Sequence, residues 1–182
     1  MKILGIDPGI GICGFGLIET NKTGFDARAL DFGAVTTKVD APMPERLLEL
    51  YESLTLVFEQ TKPEVVAVEK LFFSKNITTG IAVAEARGVV LLVASQKGLP
   101  VYEYSPNEIK KALTGYGAAT KTQMQEMVRT TLGLSEKPKP DDAADALAAA
   151  ITCGFLYRAG KNDEYKFSNN RNLDTSLKRK VR

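Results

Sequence analysis

The chain's periodicities predict an α/β fold: a mixed five-stranded sheet, antiparallel over strands 1–3 and parallel afterwards, with helices on both faces. Three observations carry that prediction. Three β-type stretches, Ile3–Asp7, Ile12–Ile18 and Ala27–Thr36, follow one another with only turns between them, the pattern of an antiparallel meander. Two later strands, Glu64–Glu69 and Val101–Tyr104, alternate with helical stretches. The chain has 182 residues, 44% hydrophobic and 25% charged, enough for one core without disulfides or a structural metal.

The elements justify themselves in order. Ile3–Asp7 is a short apolar run of the kind that forms a buried strand, and Asn21-Lys22-Thr23-Gly24 supplies the turn before Ala27. From Pro44, Leu47, Leu48, Tyr51, Leu54, Val57 and Phe58 recur at helical spacing until Lys62-Pro63 ends the pattern. Glu64–Glu69 is apolar up to its acidic end, a central strand. Ile77–Lys97, stopped by Gly98 and Pro100, is apolar nearly all round, so a helix there needs cover on both faces and suits a subunit interface. Pro106–Leu113 is a short helix, and Thr120 caps another from Lys121 to about Leu132. Pro138 and Pro140 stiffen the approach to a last helix, from Asp141 to about Leu156.

Two absences limit the chemistry. The chain has no histidine, which removes Ser-His-Asp and Cys-His catalysis and His-ligated zinc. Its two cysteines, Cys13 and Cys153, form no CxxC pair, which fits a reducing compartment. Asp7 interrupts the N-terminal apolar run, and no stretch of about 18 apolar residues is present to cross a membrane. A cytoplasmic protein is expected. Net charge is +2, yet residues 158–182 hold eight Lys/Arg against three Asp/Glu. We therefore divide the chain into a slightly acidic domain, 1–157, and a basic tail, 158–182, too poor in apolar residues to order itself.

Gly9-Ile10-Gly11-Ile12-Cys13-Gly14 matches the dinucleotide-binding fingerprint, but that mechanism needs a helix to begin there. The following residues alternate as a strand, so the match is rejected. The carboxylates are more telling. Asp7 and Glu69 each end an apolar strand, and Asp142 and Asp145 lie three apart on one face of a helix lined with alanines. Asp-Pro-Gly is also ordinary turn chemistry, and acids in a first helical turn are ordinary dipole partners. If the four meet, however, mutual repulsion demands counter-ions, and all-oxygen ligands suit Mg2+ or Mn2+. Two such ions about 4 Å apart drive phosphodiester cleavage without histidine.

Four sets of motifs stand out together: Gly5-Ile6-Asp7-Pro8-Gly9 with Gly14-Phe15-Gly16, Val68-Glu69-Lys70-Leu71-Phe72-Phe73-Ser74-Lys75-Asn76, Ala86-Arg87-Gly88, and Asp142-Ala143-Ala144-Asp145-Ala146-Leu147-Ala148. In combination they resemble the RuvC family of bacterial Holliday-junction resolvases. The similarity runs in order over about residues 1–157. It implies a ribonuclease H-like fold, a homodimer, and paired Mg2+-dependent nicks in opposed strands of a four-way DNA junction during recombination and repair, leaving 5′-phosphate ends. It places two Mg2+ ions, with Mn2+ able to substitute, on Asp7, Glu69, Asp142 and Asp145, and gives Lys121 a catalytic part. It suggests DNA contacts at Phe72, Lys75, Arg87, Lys110, Lys121 and Arg129, and a RuvA–RuvB branch-migration complex as supplier of the junction. Asp141 departs from the pattern, standing where relatives often carry a non-acidic residue.

Two other readings share the fold. An actin-like, sugar-kinase-type ATPase has a similar glycine-rich Asp-x-Gly hairpin, but it needs two domains of about 150 residues each. An RNA-processing relative of the same fold is the other.

Overall fold

Strand β1 (Lys2–Asp7) sits at the centre of the sheet, between β2 (Ile12–Thr20), which it meets antiparallel, and β4 (Val65–Glu69), which it meets parallel. The computed structural model describes residues 1–21, 26–71, 77–158 and 164–165. β3 (Ala27–Thr36) closes one side against β2, and β5 (Val101–Tyr104) runs parallel to β4 on the other. This is the mixed order predicted, and the connections explain it. Short turns can only reverse a chain, whereas the parallel strands are joined through helices α1 (Met43–Thr61) and α2 (Ile77–Gln96). A two-residue strand, β6 (Glu164–Tyr165), adds to the edge of that five-stranded sheet, pairing antiparallel with β5 to give the order β3-β2-β1-β4-β5-β6. Its two residues fall in the segment read as an unstructured tail, where no alternating pattern announces a strand.

Strand alternation divides the core in two. Leu4, Ile6, Val66 and Val68 face α1 and α2, while Ile3, Val65, Ala67 and Tyr102 face α3 (Pro106–Thr114), α4 (Lys121–Thr131) and α5 (Asp141–Arg158). Helices therefore cover both faces. α1 buries Leu50, Leu54 and Phe58, a stripe spaced by four, and leaves Leu48 mostly exposed. The periodic set read from the sequence included Leu48 and omitted Leu50, so it was rotated slightly from the face that packs. α2 buries Ala86, Val90, Val93 and Ala94. Its opposite side carries Ile81, 53% exposed, and Leu92, 52% exposed, with exposed Glu85 and Gly88 between them.

The two short helices are fixed at their starts. Thr120 accepts a hydrogen bond from the Gln123 amide while the Gln123 side chain takes the Thr120 amide at 2.9 Å. Ser105 and Glu108 form the same reciprocal cap on α3, a Ser-x-x-Glu signal present in the sequence. These caps set the helical phase at which Lys110 and Lys121 leave α3 and α4. No helix among the described residues is long and apolar enough to cross a membrane.

Candidate active site

Adjacent parallel strands β1 and β4 both end in an acid. Ile6 stands in register with Val68, so Asp7 and Glu69 emerge side by side at the carboxyl edge of the sheet. Parity puts both on the face of Ile3 and Ala67, the face covered by α5. α5 then comes unusually close. A Cβ on Gly5 would lie 1.9 Å from the Ala146 carbonyl oxygen, and one on Gly14 would lie 2.0 Å from that of Asp142. Buried Ala143, Ala144, Ala146 and Ala148 present the matching small surface. Gly14 is the antiparallel partner of Asp7, so this contact delivers the first turn of α5 directly over the end of β1. Asp142 and Asp145 are consequently half-buried, whereas Asp141 is exposed.

The electrostatics record the convergence. Asp7 is pushed up to about 7, first by burial and then by the charges of Glu69, Asp145 and Asp142, with Lys121 opposing. Glu69 is also pushed up to about 7, by burial and then Asp145, against Lys110 and Lys121. Burial again leads in raising Asp145, and Lys121 holds that rise back. Desolvation alone would lower the Lys121 pKa; the charges and hydrogen bonds of Asp145 and Asp141 override it, and the ammonium holds its proton more firmly than usual. A cavity of about 190 Å³ is lined by Glu69, Asp145, Lys110 and Lys121 over an apolar floor of Ile109 and Met124. A second, of about 300 Å³, is lined by Asp7, Glu69, Asp145 and Lys70.

This arrangement fits divalent cations in its chemistry. Acids that repel one another at neutral pH are stabilised by an added positive charge, and carboxylate oxygens without His or Cys are the donors of hard ions. As they stand, no three acidic, histidine or cysteine side chains among the described residues already surround a common coordination point. Closing the cluster on an ion therefore takes side-chain movement. Lys121 meanwhile gives the cluster a positive charge, its Nζ 3.2 Å from Asp141 and 3.3 Å from Asp145.

A stability prediction arises here. Asp7 and Glu69 bind protons more tightly when folded than in an unfolded chain, where ordinary carboxylate values apply. Between pH 4 and 7 the folded state thus holds more protons, and stability falls as pH rises through that window. The loss for the coupled pair is on the order of 3 kcal/mol. Thermal melts without metal are expected to show Tm falling from pH 5 to pH 8. Mg2+ is expected to raise Tm at pH 8 much more than at pH 5. A Tm that rises with pH in the absence of metal contradicts this account.

Two of the residues expected at DNA are held by acids outside the acid cleft. Arg87, expected at DNA phosphates, donates from Nε to Glu103 at 2.6 Å and pairs with it through Nη2, tying α2 to β5. Glu103 is almost wholly buried, and removing its partner would leave an uncompensated charge, so the guanidinium is committed inward. Arg129 is likewise engaged: it donates to Glu126 at 2.6 and 2.9 Å and to the Leu134 carbonyl at 3.1 Å, closing the C-terminal end of α4. Both contacts have one physical reason, a nearby acid. Phe72 and Lys75 lie outside the described residues. The sequence reading missed Glu103, though an acid inside the apolar strand Val101–Tyr104 already requires a buried cation.

A mixed sheet whose central parallel strands end in acids, crossed by a helix bringing more, defines the ribonuclease H-like class. The family described as "Crossover junction endodeoxyribonuclease RuvC" matches residues 3–153. A protein of that name from Desulfitobacterium hafniense is 56% identical over 151 residues, covering 83% of this chain and 90% of its own. Another from Chloroflexus aggregans is 54% identical over 151 residues, covering 83% and 91%. The solved structure of T. thermophilus RuvC in complex with a Holliday junction substrate superposes with a TM-score of 0.85 at 39% identity, covering 90% of this chain and 99% of that one. The chain belongs to the RuvC family. The ATPase and RNA-processing readings are not favoured by these matches.

Proposed function

We propose that this protein is a divalent-cation-dependent, structure-selective DNA endonuclease that resolves Holliday junctions by paired, symmetric nicks giving 5′-phosphate ends. The observation that carries the reading is the meeting of Asp7, Glu69, Asp142 and Asp145, from three separate stretches of chain, beside Lys110 and Lys121. Those four acids would hold two Mg2+ ions, with Mn2+ able to substitute, and such ions would supply water activation and charge relief at the leaving oxygen. The chain's own residues do the rest. Burial of Asp7 and Glu69 strengthens their attraction for a cation bound between them. Lys110 and Lys121 on the rim hold the scissile phosphate above the apolar floor of Ile109 and Met124.

Resolution needs two cuts, so a two-fold assembly suits a two-fold substrate. Two exposed large apolar residues on the outer side of α2, Ile81 and Leu92, support a homodimer through that helix. Residues 1–157 form the nuclease domain in this reading, and 158–182 a basic tail. A RuvA–RuvB complex supplies the junction in the cytoplasm, where the unpaired thiols Cys13 and Cys153 stay reduced.

A synthetic four-way junction and a linear duplex of equal length, each with Mg2+, test the proposal. Nicks are expected at symmetric positions in the junction only. If Lys110 and Lys121 of two protomers neutralise four phosphates, junction affinity drops on the order of 100-fold between about 50 and 200 mM salt. Equal cutting of both substrates, or binding insensitive to salt, overturns it.

A further inference from the structure

Asp141 is exposed, yet both its carboxylate oxygens are engaged. Oδ1 accepts a hydrogen bond from the Gln125 amide at 2.9 Å, and Oδ2 pairs with Lys121 at 3.2 Å. Lys121 and Gln125 are four apart on α4, and Asp141 and Asp145 are four apart on α5. Residues four apart project from one helix face, so two such pairs confront each other across the helix contact. The result is a chain of contacts, Gln125 to Asp141 to Lys121 to Asp145. Asp141 itself lines neither cavity of the acid cleft. It is adjacent in sequence to Asp142, but successive helical residues point about 100° apart.

We infer that Asp141 is a positioning residue, which holds the Lys121 ammonium at the rim of the acid cleft when Asp145 turns to a divalent cation. The inference rests on the nuclease reading above and deepens it. Asp145 cannot give the same oxygen fully to a metal ion and to Lys121. Without Asp141, the lysine's remaining ion-pair partner among the described residues is Asp145, and cation binding there frees the ammonium to swing into solvent. With Asp141, itself steadied by Gln125, the ammonium stays within reach of an incoming phosphate. Asp141 thus accounts for the extra acid beside the tetrad as a tether for Lys121, outside the set of metal ligands.

An exposed ion pair biases a side chain's position by no more than about fivefold. Asp141→Asn is therefore expected to slow single-turnover junction cleavage about three- to fivefold at saturating Mg2+. Junction affinity is expected to stay within about twofold, Tm within about 3 °C, and Asp141→Glu to restore most of the rate. In a Lys121→Met background the same Asp141→Asn change is expected to have no further effect. Equal slowing in both backgrounds overturns the tether. So does a tenfold loss of Mn2+ affinity, read by electron paramagnetic resonance of the free protein, because that makes Asp141 a ligand. A third readout is independent of activity: amine labelling of Lys121 with Mg2+ present and no DNA, measured by mass spectrometry against Lys110 as internal reference. Labelling is expected to rise severalfold in Asp141→Asn, and unchanged labelling overturns the inference. Should the wild-type protein fail to cut junctions, the nuclease reading falls while the labelling result still decides the tether.

Discussion

Replacing Asp7 with Asn is expected to cut junction cleavage at least about a thousandfold and, in the metal-free protein, to raise stability. The two effects have one origin. Asp7 lies at the centre of the cleft, raised to about 7 by burial and by three neighbouring acids. At pH 8 its charge is held against that environment, so it destabilises the fold. An isosteric amide removes the charge without changing the packing over Gly14. Relief of about 2 kcal/mol corresponds to a Tm higher by about 4–8 °C in a chain of this size. The same carboxylate is the one β1 places beside Glu69, and charge stabilisation by a bound cation is worth several kcal/mol in phosphoryl chemistry. Junction binding, carried by lysines, is expected to remain within about threefold. Cleavage assays, junction titrations and melts at pH 8 without metal check the three parts. Persistent Mg2+-dependent nicking refutes the catalytic part, and a lower Tm refutes the electrostatic part.

How much of this was legible in the sequence depends on the range of the interactions involved. β3 and β5 fall on their expected residues, and α3, α4 and α5 begin at or beside Pro106, Thr120 and Pro140, because such signals are local. β6 was not legible. Two residues in a polar segment become a strand only because β5 offers an unpaired edge, and that edge is a property of the assembled sheet. The acids at strand ends were visible because an apolar run rarely finishes in a charge without reason. Their meeting was inferable from Gly5, Gly14 and the alanines of α5, whose lack of side-chain bulk has a purpose only if two backbones touch. Arg129 shows the opposite case. Glu126 stands three residues before it, a local partner readable at helical spacing. Arg87 and Glu103 are 16 residues apart, and Asp141 and Gln125 also 16, so only tertiary placement pairs them.

Gly14 offers the sharpest separation of packing from chemistry. An added Cβ there would fall 2.0 Å from the Asp142 carbonyl oxygen and 2.3 Å from its carbonyl carbon, both backbone atoms that no rotamer change can move. Gly14→Ala must push the first turn of α5 away from β1 and β2, and Asp142 and Asp145 move with it. Overpacking of this kind costs about 1–3 kcal/mol. A displacement of about 1 Å at a reacting centre costs on the order of a hundredfold in rate. Gly154, in the same helix, supplies the contrast. Its added Cβ would meet the Ile3 Cδ1 at 3.6 Å and the Thr20 Cγ2 at 3.7 Å, ordinary contact distances, and alanine is favoured over glycine within a helix by about 1 kcal/mol. Gly154→Ala is therefore expected to raise Tm by about 2–4 °C with cleavage unchanged. Gly14→Ala is expected to lower Tm and to reduce cleavage at least about a hundredfold even well below its melting temperature. If Gly14→Ala loses stability but keeps its cleavage rate, the close seating of α5 serves the core alone, and the acids reach their positions by some other constraint.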